Sequence, residues 1–302
     1  MDDLSRSDPL AAVSPLDGRY AGRTEPLVPY ASEAALMRAR LRVEVEYLLA
    51  LSDLDDVSLS LSEDERDDLR AVVENFDGED ARLVKRLETQ GAEGFSATNH
   101  DVKAVEYFLR TETDDRIHPW IHFGLTSEDV NNLAHRLLVK PAVEDVLVPA
   151  LAAVRDELVD LAHDYRATPM LARTHGQPAT PTTFGKEMAV YAARLGTTIG
   201  RVVDAADGLS GKLAGASGTY AAHAAAYPDV DWRAFSRSFV SDLGLEHTAL
   251  STQVNPCDDL AALFDALRGV NNVLLDLDRD VWLYVSDRYL GQEAEAGETG
   301  SS

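Results

Sequence analysis

The sequence is poor in cysteine and in long apolar runs. Cys257 is the single cysteine among 302 residues, so no disulfide can form within the chain. No apolar run approaches the roughly 18–20 residues that a membrane-spanning helix requires. The first six residues, Met-Asp-Asp-Leu-Ser-Arg, are acidic and lack the apolar core of a secretory signal. These features predict an intracellular protein, with the cytoplasm as its compartment.

Lysine is also scarce, because only five of the 28 cationic side chains are lysines, against 52 Asp and Glu residues. With a net charge of −24, the acidic side chains repel one another in dilute buffer, which destabilises a compact fold. At molar salt the Debye length falls to about 3 Å, which screens that repulsion. We interpret the acidic surface as an adaptation to a salty cytoplasm, that is, as halophilic; an ordinary acidic protein is the alternative. Nucleic acid is not an expected partner, because phosphate backbones bind basic surfaces.

Apolar residues recur at spacings of three and four in the second half of the chain, which predicts three long amphipathic helices. Their apolar positions are Leu147, Leu151, Val154, Leu158, Leu161 and Tyr165; Met188, Tyr191, Leu195, Ile199, Val202, Ala206 and Leu209; and Leu260, Leu263, Leu267, Val270, Leu274, Leu277, Val281 and Tyr284. Such helices form bundles, which other subunits can complete. Because alternating strand patterns are scarce, we predict an all-α fold.

The first 120 residues have shorter predicted helices, near 32–51 and 101–110, and form a small N-terminal helical domain in this interpretation. Thr98 or Asn99 is expected to cap the helix near 101–110. Residues 121–302 form the central long-helix bundle domain, in which Pro141 and Pro149 should kink or interrupt the helix that begins near Glu128.

Several familiar motifs fail on inspection. The segment Gly208–Leu213 resembles a phosphate-binding loop but lacks its spacing and the Ser or Thr after Lys212. His118 and His122 have a metal-ligand spacing, but Pro119 lies between them and no third ligand is evident. We therefore expect no metal site and no cofactor.

Five polar clusters interrupt the amphipathic segments, at places where helices are expected to start. They are Ser14–Tyr20, Thr98–Lys103, His122–Asp129, Arg173–Pro181 and Ser251–Pro256. Each alone can be a turn or a helix cap. Together their donors suit phosphate and carboxylate groups, which favours an anion-binding active site. Within it we single out His175 for handling protons, because a histidine pKa lies near the working pH and this residue lies in a constrained turn bounded by Gly176 and Pro178, which would give it a defined orientation.

These segments, in this order, resemble the adenylosuccinate lyase branch of the fumarase/aspartase superfamily. The resemblance runs from about Ser14 to the C-terminus and includes Gly215–His223 and Tyr227–Trp232. It implies a homotetramer whose active sites combine segments of three subunits. It also implies a C–N lyase of purine and AMP biosynthesis, which releases fumarate from adenylosuccinate and from the succinylated aminoimidazole carboxamide ribotide.

The resemblance implies a role for each matched residue. His175 is the acid that protonates the leaving nitrogen, and Ser301 is the base that removes the carbon-bound proton. For His100 an alternative to lining the pocket is that it only orients His175. The residues implied in substrate binding are Arg19 and Tyr20 at the phosphate, Asn99, His100 and Asp101 lining the pocket, Thr126 and Ser127 at a carboxylate, and Gln253.

The family's most diagnostic loop reads Gly-Ser-Ser-x-Met-Pro-x-Lys-x-Asn, and here Gly297–Ser302 matches only its opening. We therefore expect a form shortened within the catalytic loop, without the C-terminal domain. Two alternatives remain open: a sister lyase with another succinyl or dicarboxylate substrate, and a catalytically inactive helical fragment that only assembles or binds nucleotide.

Overall fold

The computed structural model describes residues 9–291, together with Glu293 and Gly297. The predicted all-α fold is confirmed, since most of the described chain is helical. Its α-helices are α1 Ala21–Thr24, α2 Val28–Ala31, α3 Glu33–Ser52, α4 Glu63–Glu74, α5 Gly78–Thr89, α6 Asp101–Thr111, α7 Ser127–Ala142, α8 Val148–Asp164, α9 Phe184–Asp207, α10 Ala221–Ala226, α11 Trp232–Asp242 and α12 Asp258–Ser286. Short 3-10 turns span Pro9–Ala11, Glu25–Leu27 and His118–Trp120, and a π-helical turn spans Val143–Leu147.

Four short strands accompany these helices. They are β1 Pro169–Thr174, β2 Gln177–Thr183, β3 Ser210–Gly211 and β4 Glu246–His247. β1 and β2 form an antiparallel hairpin, and β3 pairs with β4 in parallel. The sequence did not predict the hairpin, because the segment Gln-Pro-Ala-Thr-Pro-Thr-Thr of β2 has no alternating apolar pattern. Among the described residues, no helix has the length and apolar character needed to cross a bilayer.

The chain divides into two compact units. The first takes the chain up to Val146 and the segment Ala206–Asp259, and the second takes Leu147–Ala205 and the chain from Leu260 onward. The division near residue 120 that we expected from the sequence stays a proposal.

Helix α3 is the centre of the first unit. The Ser32 hydroxyl caps it by accepting the Ala35 N–H at 3.1 Å. Its side chains are buried on nearly every side, with Leu41, Tyr47 and Leu48 fully enclosed. Helices α4, α5, α6 and α7 pack around it. This packing fixes the N-terminal ends of α6 and α7, where two of the predicted polar clusters lie.

The second unit contains α8, α9, the hairpin and α12 from Leu260 onward. Backbones of α8 and α9 approach closely, since a Cβ atom on Gly185 would lie 2.3 Å from the Ala162 carbonyl oxygen. Polar contacts join α9 to α12, among them Arg194 Nη2 to Asp276 Oδ2 at 2.6 Å. The three predicted amphipathic helices are thus present.

Two details of the helix predictions have clear outcomes. The α-helix that begins at Ser127 contains Pro141 and passes at Val143–Leu147 into a π-helical turn, after which α8 has Pro149 in its first turn. The expected interruption is thus limited to this π-helical turn, and the run of helical residues is not broken. The predicted cap of α6 is wrong, because the cap is His100 rather than Thr98 or Asn99. The Thr98 hydroxyl instead accepts the N–H of His100 at 3.1 Å, and Thr98 lies two residues before the cap position.

Candidate active site

Three of the five predicted clusters meet at the start of α7 in the first unit. Thr126 is the residue that precedes the helix and Ser127 is its first residue. Gln253 Nε2 donates to Thr126 Oγ1 at 3.3 Å, and Ser127 Oγ lies 3.4 Å from His100 Nε2. The fold therefore gathers hydroxyl, amide and imidazole groups from three distant segments around one helix N-terminus, where the helix dipole favours negative charge.

The contacts of His100 fix its tautomer. Its Nδ1 accepts the N–H of Lys103 at 3.2 Å and so caps α6. A nitrogen that accepts a hydrogen bond carries no proton, so the neutral ring carries its proton on Nε2, the atom nearest Ser127. The side chain is half exposed. His100 thus presents a donor beside Ser127, and this donor is held by the helix that the ring caps.

Asp101 and Asn99 flank His100 but are occupied differently. Asp101 Oδ2 pairs with Arg40 Nη2 at 2.6 Å, and Arg40 Nε also donates to Asn131 Oδ1 at 2.8 Å. Burial raises the pKa of Asp101, but the Arg40 guanidinium outweighs it and holds that pKa below its ordinary value. Arg40 of α3 therefore links the carboxylate at the start of α6 to Asn131 of α7. Asn99 takes a left-handed conformation, φ 50°, and is exposed.

The structure also reveals a group that the sequence did not single out, the buried ion pair of Asp129 and Lys212. Both side chains have no exposed surface, and Lys212 Nζ lies 2.8 Å from Asp129 Oδ1. Asp129 Oδ1 also accepts the N–H of Ala214 at 2.9 Å, and Oδ2 accepts those of Thr126 at 2.9 Å and Gly215 at 3.1 Å. One carboxylate thus joins the start of α7 to the segment Ala214–Gly218, the glycine-rich loop. The sequence interpretation placed Asp129 in the first turn of a helix but gave no sign that it is buried.

Asn132 and Asn255 extend this network to the segment that carries Gln253. Asn132 Oδ1 accepts the N–H of Lys212 at 2.8 Å and an N–H of Asn255 Nδ2 at 3.1 Å. The backbone N–H of Asn255 lies 3.4 Å from Glu128 Oε1. These bonds fix the loop before α12, which explains how Gln253 reaches Thr126.

A second buried group includes His122. Its Nδ1 lies 2.5 Å from Glu44 Oε1, and the backbone N–H of His122 donates to Glu44 Oε2 at 3.1 Å. Burial alone lowers the pKa of His122, but Glu44, with Glu106 at 3.8 Å, outweighs it and raises that pKa. Lys103 Nζ pairs with Glu106 Oε2 at 2.6 Å. The partners of His122 are thus carboxylates, with which a protonated imidazole forms charge-assisted hydrogen bonds.

His223 lies beneath the turn that leads into α7, and its side chain is fully buried. Its Nε2 is 2.9 Å from the Tyr47 hydroxyl, which is also 2.8 Å from the Phe123 carbonyl oxygen. Both contacts are hydrogen bonds if His223 Nε2–H donates to Tyr47 and Tyr47 donates to Phe123. A Cβ atom on Gly124 would lie 2.7 Å from His223 Nε2, so only glycine fits there, at φ 68°. Burial lowers the pKa of His223 to about 4.

Arg19 and Tyr20 lie in an exposed turn before α1. The Tyr20 N–H donates to the Pro15 carbonyl oxygen at 2.8 Å, and the Arg19 guanidinium lies 5.7 Å from the centre of the Tyr20 ring. Within the described part of the chain, no hydrogen bond or ion pair joins either residue to the group around Thr126. Their place at a substrate phosphate stays a prediction.

His175 is in the second unit, at the tip of the β1–β2 hairpin. His175 and Gly176 both have positive φ, 51° and 72°, between the paired residues Thr174 and Gln177. Two such residues define a type I′ turn, the two-residue loop that suits the twist of a hairpin. The expectation that this cluster starts a helix is therefore wrong, although its constrained turn is present. The ring is exposed. Ser301, the predicted base, lies outside the described residues.

Comparison with known proteins places the chain among lyases. A family profile described as lyase matches residues 18–302. Adenylosuccinate lyase of Haemophilus influenzae is 41% identical over 300 residues, which cover 97% of this chain and 64% of that protein. The Escherichia coli K12 protein of that name is 43% identical over 301 residues, and that of Dictyostelium discoideum 40% over 305, with the same two coverages. The chain thus spans about 64% of the length of the curated relatives it matches.

Solved structures share the fold at low sequence identity. A fumarate lyase from Mesorhizobium sp. BNC1 superposes with a TM-score of 0.67 at 22% identity. The β-carboxy-cis,cis-muconate cycloisomerase of Acinetobacter calcoaceticus sp. ADP1 gives 0.68 at 20% identity. Each match covers 86% of this chain and 57% of the other.

The lowered pKa of His223 predicts a specific pH dependence of stability. Below pH 6.5 the unfolded chain binds a proton that folded His223 excludes until about pH 4, so this residue lowers the free energy of unfolding as pH falls between these values. The total is about 3 kcal/mol. A His223→Gln protein lacks this term, so the stability difference between wild type and variant, measured by urea unfolding, should shrink from pH 6.5 to pH 4. A constant difference would contradict the burial of a neutral His223.

Proposed function

The chain belongs to the lyase family of the fumarase/aspartase superfamily, and we propose that it releases fumarate from adenylosuccinate, giving AMP. The same site would act on the succinylated aminoimidazole carboxamide ribotide of purine biosynthesis. The observation that carries this proposal is the meeting of His100, Thr126, Ser127 and Gln253 at one helix N-terminus. The identity of 40–43% to proteins named adenylosuccinate lyase supports the choice of substrate.

The proposed reaction is a β-elimination. A base removes the carbon-bound proton next to a carboxylate, the electrons of that C–H bond form the C=C bond of fumarate, and the C–N bond breaks. The departing purine nitrogen takes a proton from an acid. As charge grows on the carboxylate, donors that already point at it stabilise the transition state. The proposed elimination uses no cofactor or metal.

The start of α7 suits the binding of a substrate carboxylate. Thr126 and Ser127 supply hydroxyl groups, and His100 adds the Nε2–H that its capping bond fixes. The charge of Asp129 would oppose an anion, but it is buried against Lys212 and three N–H groups. The full set of proposed binding residues is Arg19, Tyr20, Asn99, His100, Asp101, Thr126, Ser127 and Gln253.

His175 is the proposed acid and Ser301 the proposed base. The hairpin supports the first role, because its two-residue turn holds an imidazole at an exposed tip where a second molecule can be reached. We propose that active sites form between subunits of a homotetramer, so that His175 of one chain serves the pocket of another.

Exposed apolar side chains of the second unit support this assembly. They lie on α8, α9 and α12 and are Val154, Val159, Val190, Phe264, Leu275, Trp282 and Leu283, each at least 40% exposed. Large exposed apolar side chains on long bundle helices are burial sites that a partner helix can use. The apolar positions that the sequence assigned to α12 are only partly buried within the chain, with Leu263 and Val270 enclosed and the others half-buried. A partner helix would complete that burial.

In the full-length protein we expect replacement of His175 by alanine to lower the rate of fumarate release roughly 10²–10⁴-fold, the usual effect of removing a general acid. Release is followed by the absorbance change of adenylosuccinate, beside circular dichroism to establish folding. His163→Ala is the matched control, an exposed histidine on α8 of the same unit, and should keep the wild-type rate. A His175→Ala protein with an unchanged rate would refute the acid assignment.

The same assay separates an enzyme from an inactive fragment. It is run on the 302-residue chain and on a version lengthened through Met-Pro-x-Lys-x-Asn. Turnover in either supports the lyase. Folded protein without turnover in both would favour a chain that only assembles or binds nucleotide, and turnover of another succinyl compound alone would favour a sister lyase.

One experiment tests both the proposed homotetramer and the proposed adaptation to a salty cytoplasm. With a net charge of −24 on each chain, four chains repel one another strongly in dilute buffer. Sedimentation velocity should therefore find the mass of four chains at 2 M KCl and smaller species at 0.05 M KCl, with a higher melting temperature at high salt. A salt-independent monomer would refute the tetramer, and an equal melting temperature at both salt levels would refute the salt adaptation.

A further inference from the structure

The hairpin that carries His175 has little apolar packing within its own unit. Met170 is the buried residue of β1, and β2 is exposed from Gln177 to Pro181. A cavity of about 290 Å³ lies beside its base, lined in part by Glu187, Asp280 and Asp287. An isolated two-stranded hairpin is only marginally stable in water. The direction of the hairpin tip therefore depends on its polar contacts.

Arg173 makes the contact closest to the tip. Its Nη1 donates to the Gly176 carbonyl oxygen at 3.1 Å, within the turn itself. Its Nε lies 3.0 Å from Asp287 Oδ2, just beyond the end of α12. The guanidinium also lies 6.0 Å from the centre of the Tyr289 ring. One planar side chain thus bridges the His175–Gly176 turn and the segment after α12.

Tyr289 makes a second link at the base of the hairpin. Its hydroxyl donates to the Leu171 carbonyl oxygen at 3.0 Å. The segment reaches this position because Arg288 takes a left-handed conformation, φ 62°, which ends the helix, and the Tyr289 N–H returns to the Tyr284 carbonyl oxygen at 2.9 Å. The helix end is therefore folded back onto strand β1.

We propose that Arg173, Asp287 and Tyr289 are positioning residues that aim His175 and couple it to the segment following α12. The inference rests on the proposed function, in which His175 is the acid. In sequence, the coupled segment leads from Leu290 to Gly297–Ser302, where the proposed base lies. Lysine could not replace Arg173, because a point charge cannot bond Gly176 and Asp287 together as a planar fork does.

The test compares Asp287→Asn with Asp276→Asn. Asp276 is the matched control, since it lies on α12, pairs with Arg194 of α9 at 2.6 Å and, among the described residues, has no hydrogen bond or ion pair to the hairpin. Hydrogen exchange of residues 169–183 is measured by mass spectrometry, and kcat and KM are measured in the fumarate-release assay. Loss of one partly exposed ion pair should speed exchange of the hairpin roughly three- to tenfold in Asp287→Asn and leave it unchanged in Asp276→Asn.

The kinetic expectation is specific to positioning. In Asp287→Asn kcat should fall roughly tenfold while KM stays within about twofold, because a misdirected acid affects the chemical step rather than binding. Tyr289→Phe keeps the aromatic ring and loses only the bond to Leu171, so it should show a smaller change of the same kind. It also keeps the test available if Asp287→Asn folds poorly.

The two claims fail differently. Equal hairpin exchange in Asp287→Asn and Asp276→Asn, or an unchanged kcat in Asp287→Asn and Tyr289→Phe, would overturn the positioning role. If neither the 302-residue chain nor the lengthened version turned over adenylosuccinate, the proposed function would be overturned, and with it the catalytic role of the clamp formed by Arg173, Asp287 and Tyr289. The exchange difference would still decide whether the clamp holds the hairpin.

Discussion

The carboxylate of Asp129 is the constraint on which the first unit's site depends. Two charges without exposed surface, Asp129 and Lys212, are stable in a protein interior only when paired and hydrogen-bonded. The pairing brings the glycine-rich loop to the start of α7, and the carboxylate holds the Thr126 N–H at the same time. Thr126 and Ser127 are therefore presented by a rigid, buried anchor rather than by a free loop. Such rigidity is what a site needs if its donors are to be in place before charge develops.

The two units meet this need in different ways. The first holds its polar groups by buried ion pairs and by side chains bonded into helix N-termini, as in His100 and Asp101. The second presents His175 on an exposed turn whose direction is set by the partly exposed Arg173. A rigid binding surface and a more weakly held His175 suit the proposed assembly, in which His175 of one chain would serve the pocket of another. The clamp on the hairpin would then limit motion where apolar packing does not.

The sequence predicted the helices, which depend on a local apolar pattern, but it missed the contacts between residues that are far apart in the chain. The apolar spacing was enough to predict helix α9, because Met188, Leu195 and Val202 are buried within the chain itself. The hairpin was missed, since its turn depends on the left-handed conformations of His175 and Gly176, and β2 has no alternating apolar pattern. Asp129 read as an ordinary first-turn acid because its partner, Lys212, lies far along the sequence. Likewise, the residues around Asp101 in the sequence did not predict its ion pair with Arg40. The candidate site residues were proposed from motifs, whereas the contacts that place His100, Thr126, Ser127 and Gln253 together are visible only in the fold.

The most direct test of the anchor is the free energy of unfolding of a double-mutant cycle, measured by urea denaturation at 2 M KCl. Asp129→Asn and Lys212→Met, made singly, should each cost about 3–5 kcal/mol, because each leaves an uncompensated or undersatisfied buried group. The double variant should cost far less than the sum of the two, since no buried charge remains. Strict additivity, or single losses below about 1 kcal/mol, would contradict the claim that this ion pair organises the site.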